Sequence, residues 1–69
     1  MPTYLCIILD GKSHVSERLS IECENDAEAL TQASDMLVRR LGMIAIEVWE
    51  GKRRVRKIHQ LREPDGYDQ

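Results

Sequence analysis

The sequence predicts an α+β fold in which two β-hairpins flank one helix, in the order ββαββ, and three stretches carry that prediction. Residues 25–42, NDAEALTQASDMLVRRLG, have the end signals and the apolar periodicity of an amphipathic helix. Residues 3–9, TYLCIIL, are apolar on both faces of a two-residue alternation, which is the pattern of a strand covered on two sides. Residues 46–55, IEVWEGKRRV, place a Glu-Gly turn between two alternating runs, the pattern of a hairpin.

The first hairpin turns at Asp10-Gly11, followed by Lys12 and Ser13. Beyond it, Val15, Leu19 and Ile21 alternate with Ser16, Arg18, Ser20 and Glu22, a half-buried strand that belongs at an edge. Pairing Leu9 with Val15 and counting back without interruption sets Leu5 opposite Leu19 and makes Leu5, Ile7 and Leu9 the face that meets the helix. Glu17 then needs an edge position or a partner.

The helix has Asn25 as its N-cap, Glu28 three residues on for a capping box, and Asp26 and Glu28 in the first turn. Arg39 and Arg40 suit the other end of the dipole, and Gly42 can take a left-handed terminal conformation. About 100° per residue gathers Ala27, Leu30, Ala33, Leu37, Val38 and Leu41 into one apolar arc, with Ala29 and Met36 at its rim. Asp35 and Arg39 stand four apart on the wet side and can pair there.

In the second hairpin, Ile44, Ile46 and Val48 alternate against Ala45, Glu47 and Trp49. Setting Val48 opposite Val55 puts Glu47 opposite Arg56, Trp49 opposite Arg54 and Ala45 opposite Ile58, a register favoured by an ion pair and a cation–π contact. Strand order 2-1-3-4 centres the two most apolar strands, keeps every neighbour antiparallel and gives the helix crossover the usual hand. The single domain then spans 1–61, with 62–69 as a flexible tail. One helix covers one face, so Tyr4, Cys6, Ile8, Ala45, Trp49 and Ile58 are expected on the open one, a patch apolar enough to call for a partner.

Length explains why a partner matters. A chain of 69 residues buries a smaller fraction of its surface than a typical domain does and is helped by a disulfide framework, a metal or association. Its two cysteines, Cys6 and Cys23, make no framework and are expected on opposite faces as free thiols. No CxxC or Cys/His spacing suggests zinc, no phosphate-cradling glycine loop is present, and no apolar run would span a bilayer. His14 and His59 are far apart, and neither has a Cys, Ser or carboxylate at the spacing that a nucleophile and base or a metal site would show. The reading is a reduced, cytoplasmic, non-enzymatic protein without cofactor, metal or small-molecule substrate.

The opening MPTY, the strand ending in Asp10-Gly11, the acidic helix start DAEAL and the phrase IEVWEGKRRV together resemble a family of small uncharacterised proteins, common in alpha-proteobacteria, that carry a domain of unknown function. The resemblance covers nearly the whole chain and implies a small bacterial domain; that family has no assigned activity, so it implies no site residue. A hairpin followed by an acidic EAL helix is also similar to the antitoxin partners of small ribonuclease toxins, although Trp49 and the basic last hairpin are not part of that pattern.

Two readings of function lead. The first is a protein-interaction domain that forms a homodimer through the open sheet face. The second is a small nucleic-acid-binding module in which Lys52, Arg53, Arg54, Arg56 and Lys57 grip phosphates while Trp49 stacks on a base. A net charge of -2 and the acidic Glu22, Glu24, Asp26 and Glu28 oppose the second, and basic residues on an edge strand also serve to repel unwanted strand pairing. An antitoxin-like inhibitor is the third.

Overall fold

The computed structural model describes residues 1–60, and the expected tail, 62–69, lies outside the described residues together with Leu61. Four strands and one helix follow in chain order: β1 Thr3–Asp10, β2 Val15–Glu22, α1 Asp26–Val38, β3 Met43–Glu50 and β4 Arg53–His59. The strands form one antiparallel sheet in the order β2-β1-β3-β4, with the helix packed on one face. Class, element order and strand order are those read from the sequence.

The side of β1 that lies under the helix is the opposite of the expected one. Tyr4, Cys6 and Ile8 are fully buried against Ala29, Ala33 and Leu37 of the helix and Ile46 and Val48 of β3, whereas Leu5 and Ile7 are half-buried on the other side. The cause is a bulge in each hairpin. In the first, the Asp10 carbonyl accepts from the Ser13 amide (2.9 Å), Ser13 is left-handed at φ 66°, and Leu9 pairs with Val15 as expected. One step later Ile8 pairs with Glu17, not Ser16, so Cys6 rather than Leu5 stands opposite Leu19. A single extra residue in a two-residue alternation moves every later side chain to the other face. The second hairpin repeats this: Trp49 pairs with Arg54, then Val48 pairs with Arg56, Glu47 with Lys57 and Ala45 with His59. Ile58 therefore meets Ile46 and packs at the border of the core, not on the open face.

The helix is shorter and rotated relative to the expected arc. Asn25 accepts from the Glu28 amide (2.8 Å), and the Glu28 carboxylate reaches back to the Glu24 amide (2.7 Å), so the capping box closes one residue outside the cap. The helix stops at Val38 with Arg39 as C-cap, and Gly42 takes its left-handed conformation (φ 86°) in the loop beyond. Leu41, already past the helix, is 94% exposed and Val38 is 64% exposed. Ala27 is exposed as well, and Ala29 moves from rim to centre beside Ala33 and Leu37. The Asp35–Arg39 pair forms as expected, at 2.9 Å.

Glu17 finds a partner across the fold. Arg40, just after the helix, donates to its two carboxylate oxygens at 3.0 and 3.4 Å and to the Met36 carbonyl at 3.2 Å, tying β2 to the helix end.

Candidate interaction surfaces

The sheet face away from the helix carries Leu5 and Ile7 of β1 and Ala45, Glu47 and Trp49 of β3, paired as Leu5–Trp49, Ile7–Glu47 and Leu9–Ala45. Among the described residues no second layer lies over it. Of the six residues expected there, Ala45 and Trp49 belong to this face; Tyr4, Cys6 and Ile8 are in the core, and Ile58 is on the helix side. Leu9 and Ala45 have little or no accessible surface, which leaves Leu5, Ile7 and Trp49 as its half-buried apolar centre. Leu5 and Ile7 are the residues that sequence reasoning assigned to the wrong side. Glu47 lies among them and is satisfied locally: the Trp49 indole N–H donates to its Oε1 at 3.0 Å, and Arg54 stands 3.9 Å from its Oε2, in place of the expected Arg56. Arg18 and Ser20 of β2 and Lys57 and His59 of β4 occupy the flanking rows, giving an apolar stripe with polar borders.

The basic hairpin does not gather its charge on one surface. Arg53 is committed to structure, donating both terminal nitrogens to the Asp26 carboxylate at 3.0 and 3.1 Å and pairing also with Glu50. Asp26 is held below the ordinary carboxylate range, by Arg53 first and then by the Tyr4 hydroxyl, which donates to it at 2.8 Å. Arg56 lines the groove between helix and β4, while Lys57 is the neighbour of Glu47 on the opposite face. Strand alternation thus divides the five cations that the sequence places together.

That groove, of about 620 Å³, runs between Leu30, Ser34 and Val38 of the helix and Ile58 of β4. Its polar lining includes Asp35, already paired with Arg39.

Both thiols are buried in the same core, a correction to their expected separation, because Cys6 turns toward the helix and Cys23 enters the core as the chain leaves β2, its amide bonded to the Pro2 carbonyl at 3.2 Å. Burial, with Cys23 nearby, pushes the Cys6 thiol up to about 11; burial and then Glu28 push Cys23 up as well. Neither is poised as a nucleophile. His14 sits in the β1–β2 turn and His59 at the end of β4, on opposite edges of the sheet. Among the described residues no group of three His, Cys, Asp or Glu could hold a metal ion, and no helix is long and apolar enough to cross a membrane. No protein-family model, curated protein or solved structure matches the chain.

Proposed function

We propose that this chain is a small non-catalytic interaction domain that works through the open face of its sheet, with a second copy of itself as the partner. The observation that carries the reading is the stripe of Leu5, Ile7 and Trp49 on a sheet face over which no described element packs. A four-stranded face of eight-residue strands measures roughly 19 by 26 Å, about 500 Å² per copy. Two such faces bury about 1,000 Å², toward the low end for specific complexes, so association in the micromolar range is expected rather than a permanent dimer. Glu47 does not oppose the contact, because Trp49 and Arg54 already neutralise or bond its oxygens.

Trp49 is the only tryptophan and reports on this face directly. On dilution through the association range its emission should shift to the red as light scattering shows the mass falling. A single-chain mass at every concentration, with unchanged emission, would refute self-association through the open face.

A further inference from the structure

Among the described residues the sheet has two free edges, β2 and β4, and their charges differ in kind. β4 presents Arg53, Arg54, Arg56 and Lys57, so a second β4 beside it would bring like charges together. β2 has no such guard. It is eight residues long, contains no proline, and among the described residues its backbone pairs only with β1. The helix lies chiefly across β3, with lesser contact to β1 and β4, which leaves Leu19 and Ile21 on the helix side of β2 half-buried.

Of the charges on β2, Glu17 is taken by Arg40, while Arg18 and Glu22 are exposed and have no ion-pair partner among the described residues. Opposite Ile7 and Thr3 respectively, they share the open face of the sheet, four residues apart and too distant along an extended strand, at roughly 13 Å, to pair with each other.

We infer that β2 pairs antiparallel with β2 of a second copy about a two-fold axis through Ser20. In that register Arg18 faces the partner copy's Glu22 twice, and Leu19 faces the partner copy's Ile21 twice. Both open charges are answered, the two half-buried apolar residues on the helix side cover one another, and the free backbone groups of the edge gain partners. Moving the axis to Leu19 sets Ile21 against Glu17, and moving it to Arg18 sets Arg18 against itself. The result is one eight-stranded sheet with both helices on the same side and two open faces side by side. This interface is distinct from face-to-face packing and can form with it, which adds to the modest area available to that contact alone.

The test is a charge exchange read by sedimentation equilibrium over a dilution series. Arg18→Glu and Glu22→Arg should each move one association midpoint to a concentration roughly tenfold higher or more, because two attractive pairs become repulsive. The double exchange Arg18→Glu/Glu22→Arg should return it to the wild-type position. Circular dichroism identical to wild type shows that each variant folds. Single variants with an unmoved midpoint, or a folded double variant that stays weakened, would overturn the edge interface. Trp49→Arg, on β3 and separated from β2 by β1, disables the open face without facing Arg18 or Glu22, so the same pattern of loss and return in that background separates failure of this interface from failure of the other.

Discussion

The Tyr4 hydroxyl donates to the Asp26 carboxylate at 2.8 Å, joining the start of β1 to the first turn of the helix. Its ring lies in the core, 1% exposed, and burial first, then the bond to and charge of Asp26, push the phenol up to about 12. A folded-state value above the ordinary 10.0 means that this contribution to stability is present below pH 10.0 and is lost as pH rises toward 12. Tyrosinate absorbance from Tyr4 should therefore emerge only toward pH 12, together with loss of circular dichroism, and Tyr4→Phe should remove that step. A step near 10.0 in the folded chain that Tyr4→Phe removes would place the Tyr4 ring outside the core.

The acid side has the opposite sign. Glu17 is lowered from 4.5 by its bonds to Arg40, Asp26 from 3.8 by Arg53 and then Tyr4, and Asp10 from 3.8 by the His14 and Lys12 amides. Depressed carboxylates stabilise the fold above their unfolded values and lose that contribution as pH falls through the folded ones. The urea midpoint should hold in the neutral range and decline below about pH 4. Glu17→Gln and Asp26→Asn should each make the decline shallower; an unchanged slope in both would remove these pairs from the account.

Leu37 and Leu41 share one arc when the helix is drawn through Gly42, but the structure separates them, at 1% and 94% exposure. Leu37→Ala should cost about 2–5 kcal/mol, a large share of a small domain's stability. Leu41→Ala should change it by less than about 0.5 kcal/mol. Similar urea midpoints for the two variants would contradict the observed helix end.

These residues also show how far the sequence could be read. The N-cap at Asn25, the Asp35–Arg39 pair and the Leu9–Val15 and Trp49–Arg54 pairings were legible because each follows from local chemistry near a turn or a helix end, and strand order because the two most apolar strands belong in the centre. The face of β1 was not, since Tyr4, Cys6 and Ile8 are as apolar as Leu5, Ile7 and Leu9, and alternation cannot choose between two apolar sides. That choice rested on register carried across Ser16, and the placing of Ile58 on register carried across Val55, where the strands bulge. Parity within β3 is unaffected by either hairpin bulge, and there the open-face positions of Ala45 and Trp49 were read correctly. The bond from Arg53 to Asp26 joins residues 27 positions apart and has no local signature, so the basic hairpin looked freer than it is.

The most direct measurement is light scattering on the adjacent pair Ile7→Arg and Ile8→Arg, at a concentration where the wild type is associated. Ile8 is fully buried under the helix and Ile7 half-buried on the open face, so the two substitutions place the same charge on opposite sides of β1. Ile7→Arg should remain folded by circular dichroism with half the wild-type mass, while Ile8→Arg should fail to fold. A folded Ile7→Arg that keeps the wild-type mass would contradict the open face as the docking surface, and a folded Ile8→Arg beside an unfolded Ile7→Arg would mean that the helix covers the other side.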